Sequence, residues 1–282
     1  MTSEHQGYLL MIVAAMLIPL GDAVAKYAHV NLDVPISFMA WSRFALGAVL
    51  LAPFALAQNV RLRELLPLPV ILRGLAITIT VFLILQGAAR APLADVFGAF
   101  FIAPLISFGL AVVLLGERPG QVRTALVAIG FVGVLLIVKP GLNMSLGLVF
   151  ALAAGIFYGM YLTANRAMSG SYRALALLWA QFIVGGIVIA PLGFTIDVPI
   201  TVWFGFLVLV SAFTSAAANY LIVLAYRRVE ASRLAPLVYV QLIGATLYGI
   251  LVFSALPDPI SLAGLVLLLA SGLAGLALRR KA

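Results

Sequence analysis

The chain is 282 residues long, 65% hydrophobic and only 9% charged, with a mean hydropathy of +1.20 and a formal net charge of +8. That much apolar surface excludes a soluble domain. The basic residues stand in short gaps between apolar runs, so the charge points to lipid headgroups and membrane topogenesis rather than to nucleic acid, and zero cysteines exclude disulfides, thiolate metal ligands and a cysteine nucleophile.

Apolar runs predict ten membrane spans, near 7–29, 34–57, 70–89, 93–115, 121–138, 146–166, 174–195, 201–226, 231–254 and 260–278. Each is long enough, at about 1.5 Å per residue, to cross a hydrocarbon core of about 30 Å. The first imitates a secretory signal through Ala23-Val24-Ala25, but no Lys or Arg precedes it and the apolar run is too long, so an uncleaved helix is expected. Pro19, Pro53, Pro104, Pro191 and Pro236 fall inside spans and predict bends or breaks. Gly155 and Gly159 form a small-xxx-small face suited to close helix contact. With the spans removed, no long linker or extramembrane domain remains, which places function between the helices.

Trp41-Ser42-Arg43-Phe44-Ala45-Leu46-Gly47, followed by Ala52-Pro53, recurs 138 residues later as Trp179-Ala180-Gln181-Phe182-Ile183-Val184-Gly185, followed by Ala190-Pro191. One unit is written twice, over 1–139 and 140–282, with five spans in each copy. An odd number forces the second copy into the bilayer upside down, and two inverted halves are a transporter architecture. With the amino terminus inside, the cytoplasmic gaps and tail hold Arg61, Arg63, Arg73, Arg118, Arg123, Arg166, Arg173, Arg227, Arg228, Arg233, Arg279, Arg280 and Lys281, against Lys26, Arg90 and Lys139 outside. This positive-inside bias predicts that both termini are cytoplasmic. The gap after the first Trp-containing span has Arg61 and Arg63, whereas the gap after its repeat has Asp197 and no basic residue, which agrees with inversion.

Several pieces carry a family resemblance over the whole chain: Lys26 near the end of the first span, Arg43-Phe44 in the second, and Pro104 through Leu114-Leu115-Gly116-Glu117-Arg118 in the fourth. In the second half they continue with Arg166 and with Leu224-Ala225-Tyr226-Arg227-Arg228-Val229, leading through Ala231-Ser232 into the ninth span. In their order and spacing the chain resembles the drug/metabolite transporter superfamily, EamA type. It departs from a simple duplication where Phe253-Ser254-Ala255 stands for Gly116-Glu117-Arg118 and Gln181 for Arg43. The resemblance implies an all-α integral membrane carrier of the bacterial inner membrane that exports amino acids or related metabolites.

The fifth and tenth spans hold little that is polar beyond Thr124, Ser261 and Ser271, so they can face lipid, and the tenth offers a face to a second copy. The other spans carry the candidate substrate-binding groups: Trp41, Arg43, Thr80, Gln86, Tyr158, Tyr161, Trp179, Gln181, Asn219, Tyr239 and Gln241, with Thr78, Ser107, Thr214 and Ser215 at similar depth. A cavity lined by these suits a small, partly apolar solute. Each has a plainer reading too, since Ser and Thr bond their own helix and Trp and Tyr anchor at the interface.

Intramembrane ionisable groups cost about 2.5 to 3.5 kcal/mol at a helix centre on insertion scales, so each needs a partner or a task. Asp22 and Lys26 lie four apart in the favourable order for a pair, and counting residues inward lets Asp22 reach Arg43 instead. Beyond an ion pair, Arg43 or Lys26 would receive a substrate carboxylate, or Asp22 would exchange a proton during transport.

The sequence has only His5 and His29, no partner aspartate for Asp22 and no phosphate-binding Gly-rich loop, so neither an intramembrane protease, a metal site, a cofactor nor an ATPase is expected. The fold class expected is all-α, with ten helices in two inverted five-helix repeats. The function expected is secondary export of hydrophobic or aromatic amino acids by alternating access. A multidrug or other metabolite carrier of the same fold, or a channel, is the alternative.

Overall fold

In a computed structural model, residues 3–116, 120–140, 144–168, 171–194, 197–229 and 234–279 are described, and all their regular secondary structure is helical. Glu117, Arg118, Ala231, Ser232, Arg233, Arg280 and Lys281 lie outside the described residues, as do the side chains of Leu115, Arg123, Pro236 and Arg279. In chain order the helices are α1 Ser3–Leu32, α2 Ile36–Ala57, α3 Leu68–Ala88, α4 Leu93–Phe100, α5 Ala103–Leu115, α6 Gln121–Val138, α7 Leu146–Ala167, α8 Ala174–Gly193, α9 Val202–Tyr226, α10 Val240–Phe253 and α11 Pro259–Arg279. Among the described residues seven helical segments, one of them α4 and α5 taken together over Leu93–Leu114, are long and apolar enough to cross a membrane, and three shorter apolar helices accompany them.

Local chemistry sets the helix starts differently along the chain. In the first half Pro35, Pro67 and Pro92 precede α2, α3 and α4 with φ fixed between −55° and −58°, where the missing N–H would have had no intrahelical partner. In the second half hydroxyls do the capping: Ser145 accepts from the Leu148 amide and Thr201 from the Phe204 amide. The run expected over 93–115 is one apolar span but two helices, interrupted at Phe101–Ile102, because Pro104 in the first turn of α5 supplies no amide to continue the ladder. The ninth run likewise opens with a tight 3₁₀ turn, Ala235–Tyr239, before α10. The two interruptions meet, with the rings of Phe101 and Tyr239 at 4.9 Å between centroids.

Most packing joins the segment before residue 140 to the segment after it. Helix α1 lies on α9 and α10, α3 on α7 and α8, α2 on α8 and α9, α4 and α5 on α7, and α6 on α11. Exchanging corresponding helices leaves this pattern unchanged: α1 on α9 is matched by α7 on α3, and α2 on α8 maps onto itself. The α2–α8 contact is reciprocal in detail. Trp41 Nε1 donates to the Gly186 carbonyl (3.1 Å) and Trp179 Nε1 to the Ala48 carbonyl (3.0 Å). The Phe44 and Phe182 rings lie 5.8 Å apart. A Cβ on Gly47 would meet Phe182 at 2.4 Å, and one on Gly185 would meet Phe44 at 2.3 Å, so only glycine permits the approach. Residue numbers rise along one helix as they fall along the other, so α2 and α8 are antiparallel and the local two-fold axis lies across them.

Helices α6 and α11 also run antiparallel, with Gly130 against Ser271 and Gly133 against Gly264. Ser261 and Ser271 are buried, while Phe131, Val132 and Val266 remain exposed. One face of α11, expected to be bare, is therefore covered by α6 of the same chain. The small-residue face of α7 meets the interruption between α4 and α5: a Cβ on Gly155 would come within 2.7 Å of the Phe100 carbonyl, and one on Gly159 within 2.9 Å of the Ala103 carbonyl.

Candidate functional site

Two buried polar clusters occupy the interior between the segments. In the first, Arg43 of α2 is 4% exposed. Its Nη1 donates to Asp22 Oδ1 of α1 at 2.5 Å and its Nη2 to Ser211 Oγ of α9 at 3.2 Å; Ser211 in turn donates to the Gly21 carbonyl. Both charges of the ion pair are almost fully withdrawn from solvent. A charge-assisted bond between them offsets the desolvation that neither could bear alone. Arg43 Nε is buried without a partner.

The second cluster is built around Arg73 of α3, which is 6% exposed. Its Nε donates to Asn165 Oδ1 and its Nη1 to the Leu177 carbonyl at 2.9 Å; its Nη2 donates to the Tyr161 hydroxyl at 2.9 Å. The guanidinium also stands 4.6 Å from the Tyr161 ring centroid. From there the chain of bonds runs inward: Tyr161 donates to Gln181 Oε1, Gln181 Nε2 to Asn219 Oδ1, and Asn219 Nδ2 to the Ser215 carbonyl. Tyr158 stacks on Tyr161 with centroids 5.6 Å apart and meets the Phe100 ring at a tilt of 36° with centroids 4.9 Å apart, which makes one wall aromatic. The clusters touch α9 at Ser211 and Asn219, eight residues or about 12 Å apart along the helix.

The candidate pair between Asp22 and Lys26 does not form. Lys26 Nζ donates to the Ala91 carbonyl between α3 and α4 at 2.8 Å and lies 4.9 Å from the Phe253 ring centroid. Asp22 goes to Arg43 because the planar fork places a second N–H on Ser211 at the same time, which a single ammonium on the same helix cannot do.

The other candidates are spread more widely. Tyr158, Tyr161, Gln181 and Asn219 share the second cluster with Arg73. Trp41 and Trp179 join α2 to α8, and Trp41 borders an open apolar groove with Ala45, Phe182, Ile183 and Gly186. The hydroxyls of Thr78, Thr80 and Thr214 bond carbonyls four residues back in their own helices. Gln86 accepts from Arg90 at 2.6 Å, Tyr239 packs on Phe101 and against Gly272, and Gln241 is buried near the start of α10. Ser107 accepts from Thr163.

Three participants escaped the sequence reading: Arg73, Asn165 and Ser211. Arg73 stands beside a gap, where charge placement assigns it to the cytoplasmic side, but α3 begins at Leu68 and carries it inside. The repeat spacing held a clue, since Arg73 precedes Ser211 by the same 138 residues that separate Arg43 from Gln181.

Outside the spans, Lys139 and Asp258 form an ion pair between the end of α6 and the start of α11. The Lys139 ammonium, with help from the Ser261 hydroxyl, holds the Asp258 carboxyl well below the usual carboxylate range. Among the described residues no group of three or more His, Asp or Glu could hold a metal ion.

Comparison with known proteins adds identity to this geometry. The EamA-like transporter family model matches twice, over residues 5–139 and 145–275. An S-adenosylmethionine uptake transporter of Rickettsia bellii is 24% identical over 265 residues, covering 93% of this chain and 89% of that protein. A pseudopaline exporter of Pseudomonas aeruginosa is 25% identical over 272 residues, 95% of each. A riboflavin transporter of Rhizobium johnstonii is 23% identical over 274 residues, 95% of this chain and 89% of that one. A solved crystal structure, 18% identical, matches the fold over 99% of both chains with a TM-score of 0.71.

Proposed function

The chain belongs to the EamA-like transporter family, and from that premise we propose that it is a secondary carrier exporting hydrophobic or aromatic amino acids and related small metabolites by alternating access. That it is a multi-pass membrane transporter of a small solute follows from the family and from the apolar helices. The finer reading has ten spans in two inverted halves, 1–139 and 140–282, both termini cytoplasmic, in a bacterial inner membrane. Its supports are the exchange-symmetric packing, the antiparallel α2–α8 pair and the positive-inside bias.

One observation carries the substrate class: the polar chain from Arg73 through Tyr161 and Gln181 to Asn219, walled by Tyr158 and Phe100. Hydrogen-bonding groups of both signs beside stacked rings match a solute with a polar head and an apolar side chain. Direction does not come with the family name, since one relative is an uptake transporter and another an exporter. Export rests on the resemblance to amino-acid exporters. The Asp22–Arg43–Ser211 cluster, which ties α1, α2 and α9 together, is read as a pin that one of the two access states releases.

The test is exchange of radiolabelled phenylalanine, threonine and succinate in liposomes containing purified protein, with and without a pH gradient and with unlabelled solute preloaded. Saturable phenylalanine exchange accelerated by preloading is the expected result, and its dependence on the gradient decides coupling. Flux that does not saturate identifies a channel. No exchange of any of the three ends the amino-acid assignment and directs the search to drugs and other metabolites.

A further inference from the structure

We propose that Arg73 is the receptor for a carboxylate on the transported solute. The inference rests on the reading that the second cluster lines the solute path, and it deepens that reading by naming the group recognised and the residue that recognises it.

The two arginines buried among the described residues differ in how their charge is answered. Arg43 faces Asp22, so its cluster is neutral without help. Arg73, buried to nearly the same degree, is held by an amide oxygen, a backbone carbonyl and a phenol, and among the described residues it meets no carboxylate. Neutral acceptors satisfy hydrogen bonds but cancel no charge, so a whole positive charge stands inside the helix bundle, where an unanswered ion is costly. An anion arriving with the solute would answer it.

The donor geometry fits a carboxylate. One N–H on each of Nε, Nη1 and Nη2 is engaged. That leaves one N–H on each terminal nitrogen, two donors that an arriving carboxylate can take. The Tyr161 hydroxyl, the partner of Nη2, is also bonded to Gln181. A solute oxygen that displaces this hydroxyl from Arg73 leaves Tyr161 with its bond to Gln181 and so gives up little. A charged oxygen is the stronger acceptor of the two. The stacked rings of Tyr158 and Tyr161 lie alongside the guanidinium, in reach of the apolar part of the same molecule. Arg43 is the poorer receptor, because a solute carboxylate there would have to expel Asp22.

The inference is tested by thermal unfolding of the purified, detergent-solubilised full chain titrated with phenylalanine, threonine and succinate, and in parallel with phenylalaninamide, threoninamide and succinamide, at about pH 6, where the amino groups keep their charge and the members of each pair differ only at the carboxyl. Wild-type protein is expected to be stabilised by at least one carboxylate and not by its amide. Arg73→Gln should bind that carboxylate about tenfold more weakly or worse, while Arg73→Lys, which keeps the charge, retains much of the stabilisation. A merely structural arginine would lower the unfolding temperature of Arg73→Gln without touching the preference for carboxylate over amide. Carboxylates that stabilise no better than amides, or that stabilise Arg73→Gln as well as wild type, overturn the proposal. The readout is binding rather than flux, so stabilisation without phenylalanine exchange would sink the amino-acid export reading while leaving Arg73 as the carboxylate receptor.

Discussion

Arg43 and Gln181 stand at the same position of a repeated segment, 138 residues apart, yet one is half of an ion pair and the other a relay in a chain of neutral groups. The guanidinium of the second cluster comes from α3, through Arg73, where Ser211 is the matching residue of α9. The guanidinium thus stands on α2 in one cluster and on α3 in the other. In the first cluster the protein supplies its own counter-ion and the contact ties three helices together. In the second no carboxylate meets the guanidinium among the described residues, and on the proposal made above the contact responds to what arrives. Symmetric packing does not require symmetric roles: on the reading proposed above, one cluster locks and the other recognises.

The hardest blow to this contrast comes from Asp22→Asn, which turns the first cluster into a copy of the second by leaving Arg43 with neutral partners only. Breaking a buried pair by removing one member typically costs about 3 to 5 kcal/mol, so thermal unfolding in detergent should show a large drop. The double variant Asp22→Asn with Arg43→Gln installs the residue found at the equivalent position in α8 and should recover most of the loss. An Asp22→Asn protein as stable as wild type would mean that Arg43 needs its carboxylate no more than Arg73 does, and the distinction drawn between the clusters would collapse.

The contact between α2 and α8 makes the comparison sharper, because it is the place where the halves are most alike. Gly185→Ala drives a methyl group into the Phe44 ring and Gly47→Ala into the Phe182 ring. Overpacking of this kind costs about 1 to 3 kcal/mol. The two variants should lose similar amounts of stability, since each probes one side of a reciprocal contact. A loss confined to one of them would show that the two-fold relation at α2–α8 is geometric but not energetic.

Sequence reasoning reached the helical class and the contact between Asp22 and Arg43, because a hydrophobic run and an acid deep in an apolar span are one-dimensional signals. The break at Phe101–Ile102 agrees with the bend or break that Pro104 predicts in that span, whereas hydropathy alone is blind to whether one apolar run is one helix or two. Sequence reasoning misplaced Arg73 because an arginine near the end of a run resembles one that reaches for the interface; only the position of α7 and α8, which bring Asn165, Tyr161 and Leu177 to it, reveals a buried group. The partner of Lys26 was similarly out of reach, because a backbone carbonyl in a distant turn has no sequence signature.

A smaller difference between the halves lies at the ends of α5 and α10. Gly116 and Ser254 both hold left-handed conformations, with φ of 66° and 52°. The change of residue therefore left the helix ending unchanged, although it placed a side chain where glycine is the usual choice. The strain of a non-glycine residue there is about 1 to 2 kcal/mol, offset in part by the greater freedom glycine has in the unfolded chain. Ser254→Gly should raise unfolding stability by roughly 0.5 kcal/mol, and Gly116→Ala, which has open space around its Cβ, should lower it by roughly 1 kcal/mol. Opposite signs in a thermal unfolding experiment would show that backbone conformation at the two ends is under the same constraint.

The weakest effect is expected at the Lys139–Asp258 pair, which joins α6 to α11 away from both clusters. Lys139 depresses the Asp258 carboxyl, so the folded state favours the ionised form. The stabilisation this gives is complete above the ordinary carboxylate range and is lost only as pH falls through the lower value that the folded protein imposes. Between about pH 5 and 8, a window well above that transition, Asp258 keeps its charge and contributes no slope. Asp258→Asn should therefore leave the shape of the pH profile of exchange unaltered over that window, even if it alters the rate uniformly. A profile that flattens in Asp258→Asn would move proton coupling from the interior clusters to the periphery of the bundle and would undo the assignment of recognition and locking to the buried arginines alone.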